Sequence, residues 1–175
     1  MHQDTSPTNI PVLRGLATVM VVGVALAVPG AAGAADQANR KLEAGYEQQP
    51  PSVGTPICSS PTACVVPFSL RGVSTGDVAG TYVQAGAGTR MADGFLYANS
   101  TLVFTGTVTG CGTGTVTMRS TGVNRSGVTS GEIEIIGGSG TDGLASLTGT
   151  GSLTSGSVDP ATGIGRGLIQ YRVKC

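Results

Sequence analysis

The chain has a single histidine, His2, and no tryptophan in its 175 residues. That scarcity removes most imidazole chemistry. A Ser-His-Asp or Cys-His arrangement needs the ring as its base, and His-based zinc sites need it as a ligand. Charge is also sparse. Asp, Glu, Lys and Arg make up 11% of the residues, ten acidic against ten basic. A neutral chain lacks the basic footprint of nucleic-acid binding and the polybasic patch that attracts anionic lipid. Aromatics reach only 4%, which argues against a deep apolar pocket for a long lipid. The cysteines include no C-x-x-C pair for a metal. The acidic residues do not follow calcium-loop spacing. Gly86-Ala87-Gly88 and Gly112-Thr113-Gly114 begin no phosphate-binding motif. No cofactor, metal or catalytic residue is therefore expected.

Long hydrophobic runs are absent save one. Residues 16–28 form an apolar stretch of 13 residues behind Arg14. Pro29 and Gly30 break it, and Ala32-Gly33-Ala34 is a small-x-small cleavage pattern. A spanning helix needs about 20 apolar residues. Residues 1–34 are thus expected to be a signal peptide cleaved near Ala34, which carries off His2 and leaves a secreted, extracellular protein without stable membrane insertion. Removal also takes Asp4 and Arg14 and leaves nine residues of each sign.

Four cysteines in an exported chain imply two disulfides. Three connectivities are open. Cys58–Cys64 with Cys111–Cys175 is favoured, because Pro61 prebends the first loop and the second bridge clamps the chain end to its middle. Residues 35–57 read as a flexible arm: residues 36–47 have the composition of a short helical stretch, and Pro50, Pro51 and Pro56 follow. The ordered domain is then 58–175.

What is abundant is glycine, 29 residues, together with threonine and short β-branched runs. Leu102, Phe104, Gly106 and Val108 share one parity and Val103, Thr105 and Thr107 the other. Val116 with Met118, Ile133 with Ile135, and Ile169 with Tyr171 and Val173 repeat the alternation. Period 2 in at least four runs predicts strands with one wet face. Turn signals stand at Asp93-Gly94, Asn99-Ser100, Gly110-Cys111-Gly112, residues 124–127 and Asp142-Gly143. The fold class is all-β, a small antiparallel barrel of about eight strands, closed so that no edge is left sticky. Glycine here serves bulges and corners. Glu132 and Glu134 lie opposite the apolar parity and are expected in water. Asn99 and Asn124, each heading a glycosylation-like triplet, are expected as turn residues. Tyr82, Tyr97, Phe104, Met118 and Tyr171 are the candidates for lining a cavity, if the barrel is hollow.

The segments GSGTDGLASLTGTGSLT (138–154), FTGTVTGCGTGTVTMRSTG (104–122) and 165–175 carry a family resemblance. Their glycine and threonine spacing resembles that of a group of uncharacterised bacterial proteins with an allene oxide cyclase-like barrel, related to plant dirigent proteins. The resemblance covers roughly residues 65–175. It implies a barrel that holds a reactive small molecule and steers its cyclisation or coupling. No functional residue of those enzymes matches a position here. In the physical reading of the same stretch, Leu144 and Leu147 plug one end of the barrel.

Three functions stay open. The first is a binder of a small apolar molecule or of a partner surface. The second is a histidine-free cyclase or dirigent-type enzyme acting by shape. The third is a structural or adhesive envelope protein. A cavity with an aimed Tyr, Glu or Arg would favour the enzyme. A filled barrel with a flat apolar patch would favour the partner binder.

Overall fold

A computed structural model describes residues 39–60, 63–90 and 96–175. Eight antiparallel strands close a barrel: β1 (Arg40–Gln48), β4 (Ala63–Gly76), β5 (Val78–Arg90), β6 (Leu96–Val108), β7 (Gly112–Arg125), β8 (Val128–Ile135), β9 (Thr148–Val158) and β10 (Gly165–Lys174). Strands β4 to β10 pair in sequence order, and β1 joins β10 to β4. Two short strands, β2 (Ser52–Val53) and β3 (Ile57–Ser60), pair with β4 beyond the ring. Among the described residues no helix is long and apolar enough to cross a membrane, which says nothing of strands.

The alternation read in the sequence is the alternation of the wall. Leu102, Phe104, Val108, Val116, Met118, Ile133, Ile135, Ile169, Tyr171 and Val173 are buried in one core. Glu132 and Glu134 face solvent on either side of Ile133. Bulges at Thr129/Gly131 and Leu168/Ile169 break the register of β8–β9 and β9–β10 and add the curvature that closure needs.

Both favoured disulfides are present. Cys58–Cys64 links β3 to β4 with Cα atoms 3.9 Å apart, and Cys111–Cys175 links the β6–β7 turn to the chain end at 5.4 Å. Two such bridges suit an oxidising environment.

One end of the barrel is sealed. The β8–β9 connection turns beneath it, with a short 3-10 turn at Asp142–Leu144. Strand β7 extends past β8 there, and the connection takes over its open hydrogen bonds. The Thr141 amide donates to the Thr115 carbonyl at 2.9 Å, and the Thr115 amide donates to Thr141 Oγ1 at 3.1 Å. Ser139 Oγ accepts from the Thr117 amide and donates to the Ile136 carbonyl. A Cβ at Gly114 would overlap the Thr141 carbonyl, so only glycine lets the plug lie this close. Leu144 and Leu147 are 0% and 1% exposed and close the floor. Cys111–Cys175 staples the same end, where Ser146 Oγ donates to the Cys175 carbonyl at 2.8 Å.

Three expectations are corrected. Residues 40–48 are neither arm nor helix: Leu42, Ala44, Tyr46 and Gln48 alternate inward along β1, and β1 shuts the ring. The ordered domain therefore begins before residue 58, and β2 and β3 occupy much of the remaining arm. Asn99-Ser100 is not a turn but lies within β6, where Ser100 points inward and accepts from Gln84 Nε2 at 2.7 Å. The signal-peptide segment, residues 35–38 of the arm and the Asp93-Gly94 turn lie outside the described residues. The turn expected at Asn124 is present. Ser126 and Gly127 have φ of +51° and +83°, the pair of positive angles a two-residue hairpin loop uses. Asn124 Oδ1 accepts from the Gly127 amide at 3.3 Å.

Candidate functional site

The end opposite the plug is hollow. A cavity of about 560 Å³ runs from the mouth down to Phe104, Met118, Tyr82 and Tyr171, within the size range of small-molecule sites. Its cause is the choice of inward residues. Near the floor these are Val78, Val108, Val116 and Ile135, all buried. Toward the mouth many of them shrink, to Gly88, Ala98, Ser100, Ser120, Gly122 and Gly131, while Val66, Phe68 and Leu96 stay large. An eight-stranded barrel is just wide enough for side chains to fill it, so small inward residues leave the space empty.

Three tyrosines furnish the wall, each laid over a glycine on a neighbouring strand. The Tyr171 ring covers its partner Gly151, and a Cβ there would stand 2.7 Å from Cε1. The Tyr46 ring covers its partner Gly167, and its hydroxyl reaches Gly156 one strand further. Tyr82 leans over its partner Gly72 on β4, where a Cβ would overlap the Tyr82 hydroxyl. Burial pushes the pKa of all three phenols up, and for Tyr82 the nearby Tyr46 and Tyr171 push it further. They stay neutral well beyond physiological pH.

The remaining polar groups are uncharged and largely satisfied. Ser74 Oγ donates to the Val78 carbonyl at 2.6 Å, and Ser100 Oγ, besides accepting from Gln84, donates to the Ser120 carbonyl at 3.4 Å. Among the described lining residues only Glu132 is charged, and it is exposed on the outer parity of β8.

Of the five residues proposed from sequence, Tyr82, Phe104, Met118 and Tyr171 line this cavity. Tyr97 does not. It has the parity of Val103, lies on the outer wall and is 49% exposed. Tyr46 joins the lining from β1, whose Lys, Leu, Glu and Ala composition hides a strand in the sequence. Glu134 forms an exposed ion pair with Arg119 at 3.3 Å, and Glu132 lies beside it in water. Among the described residues no cluster of three or more His, Cys, Asp or Glu could hold a metal ion.

Fold and site define a disulfide-stapled β-barrel, plugged at one end and hollow at the other. The sequence pattern of the family described as "Protein of unknown function (DUF3224)" matches residues 47–161. The chain belongs to that family. A crystal structure of a protein with unknown function from the DUF3224 family of Shewanella oneidensis MR-1 is similar in fold, with a TM-score of 0.59 at 13% identity. The match covers 76% of this chain and 96% of that one. Among curated proteins none matches this chain.

Proposed function

We propose that the protein is an exported binder of a small, uncharged, mainly apolar molecule held in the barrel. One observation carries this reading: a cavity of about 560 Å³ whose described inward side chains are apolar or neutral, above a floor closed by Leu144 and Leu147. An apolar guest leaves water and need not neutralise a buried charge. Export is supported by the apolar run at 16–28, the small-x-small site behind it and the two disulfides. The likeness of residues 65–175 to allene oxide cyclase-like barrels supports a guest inside the ring.

A second reading, a cyclase or dirigent-type enzyme acting by shape, draws on the tyrosine hydroxyls that line the cavity. Binding is preferred because the titratable groups among the described inward residues are phenols, whose pKa burial raises away from neutral pH, where an acid–base catalyst works best, and Glu132 lies on the outer face.

Native mass spectrometry of protein recovered from the medium of an exporting bacterial host tests the reading. The expected species begins near Ala35, weighs four hydrogens less than its reduced form and retains a co-purifying molecule or an added neutral naphthalene dye. Ala98→Trp, which narrows the mouth, should weaken dye binding at least tenfold and leave the melting temperature nearly unchanged. A folded parent protein that takes up no apolar probe refutes the reading.

A further inference from the structure

We propose that Tyr46, Tyr82 and Tyr171 form a cluster of neutral hydrogen-bond donors that selects guests bearing an uncharged acceptor oxygen, a ketone above all. This rests on the cavity being a binding site and names the class of molecule it takes. Tyr82 and Tyr171 are only 7% and 5% exposed. Among the described residues every fully enclosed side-chain nitrogen or oxygen has a hydrogen-bond partner. Among the described residues the three tyrosine hydroxyls have no hydrogen-bond partner, so what surface they keep is assigned to the cavity they line. Buried tyrosine hydroxyls ordinarily find a partner. These three instead keep surface in one cavity, where they can donate to whatever enters.

The placement is built by the backbone. Gly72 allows Tyr82 to lean across β4 toward β1, where the Glu47 carbonyl stands 2.7 Å from a Cβ built at Gly72. Gly167 and Gly156 give Tyr46 a path from β1 across β10 to β9, and Gly151 seats Tyr171. All three tyrosines line the one cavity. Phe104, Met118, Leu102 and Ile169 supply the apolar surroundings.

The sign of the guest follows from what is missing. A carboxylate or phosphate in this space would meet no cation among the described inward residues, and burying an unpaired anion is costly. A pure hydrocarbon would leave the donors unsatisfied once it displaced the water around them. A carbonyl oxygen has two lone pairs, can accept from two hydroxyls at once, and brings no charge.

The discriminating pair is tetralin and its ketone, 1-tetralone, which share a ring system and differ by one oxygen. Each is titrated against the neutral ketone dye prodan, whose emission reports hydrogen bonding to its carbonyl. Tetralone is expected to displace prodan about tenfold more tightly than tetralin, the range of one or two net hydrogen bonds. Tyr82→Phe and Tyr171→Phe keep the rings and remove the donors. Each should shrink that preference toward unity and shift bound prodan emission to the blue. Tyr97→Phe, on the outer wall, should change neither. Tyr46→Phe, only half-buried, serves if either inner variant fails to fold. Equal affinity for the two compounds while prodan still binds overturns the donor cluster and leaves the cavity reading standing. Failure of prodan, tetralin and tetralone alike to bind overturns both.

Discussion

At the scale of the residue, the informative positions are the glycines. The sequence pattern places them in turns and bulges. Some serve there: Gly76, Gly110 and Gly127 hold positive φ in turns. Others point inward within strands and do two jobs that sequence alone does not separate. They leave the cavity empty, and they seat the tyrosine rings. A Gly-Tyr pair directly across two strands is a spatial fact, and sequence alone does not pair Gly151 with Tyr171 or Tyr46 with Gly167. Tyr97 shows the reverse case, since its outward direction was legible. It shares the parity of Val103, and counting in twos from Phe104 places it outside. Gly151→Ala tests the seating. A Cβ there would stand 2.7 Å from Tyr171 Cε1 and 3.1 Å from Ile169 Cγ2, so overpacking should cost about 1–3 kcal/mol. In a Tyr171→Leu background the same substitution should cost markedly less. Denaturant unfolding of the four proteins measures the coupling, and additive effects would show that the ring does not rest on Gly151.

At the scale of the element, period 2 made the strands of the second half visible, because their outer faces are polar and their inner faces large and apolar. Strand β1 was hidden by competing propensity. Its alternation of Leu42, Ala44, Tyr46 and Gln48 is present, but Lys, Leu, Glu and Ala are good helix formers, and the register that rewards a strand comes from β10 and β4, far away in sequence. Asn99-Ser100 misled for a related reason: local turn preference yields to pairing on both sides, with Ala87 and Thr121 opposite Asn99. The two disulfides also differ by element. Cys111–Cys175 closes a separation of 64 residues and joins the floor of the ring. Cys58–Cys64 spans 6 residues and ties β3, a strand outside the ring, to the outer part of β4. Replacing Cys111 and Cys175 by Ala should lower stability by about 2–4 kcal/mol. Replacing Cys58 and Cys64 should stay within about 0.5 kcal/mol, as surface changes usually do. Denaturant midpoints decide the ranking, and equal losses would contradict the division into ring and appendage.

At the scale of the whole molecule, closure is the property on which cavity and stability both depend. The ring is shut by one strand, β1, with nine residue pairs to β10 and five to β4. Those few pairs convert an open sheet into a container. Without β1, the edges of β4 and β10 present unpaired backbone groups, the core loses Ala44 and the packing of Leu42 and Tyr46, and the cavity loses one wall. Pairing between the first and last strands also spans most of the described chain, so it is the contact with the largest loop-closure cost. A chain beginning at Asn39 should therefore melt in one cooperative transition and run as a compact species on size exclusion. A chain beginning at Pro50, which would be the more economical domain if residues 39–49 were a tether, should melt without a sharp transition or aggregate through its open edges. Adding a synthetic peptide of residues 39–49 should restore the transition in a concentration-dependent way, because it supplies the missing strand in trans. The same peptide with Ala44→Glu, which places a charge at a position 1% exposed, should not. A cooperative, compact protein beginning at Pro50 would show that the ring closes without β1, and the cavity would then need a different wall.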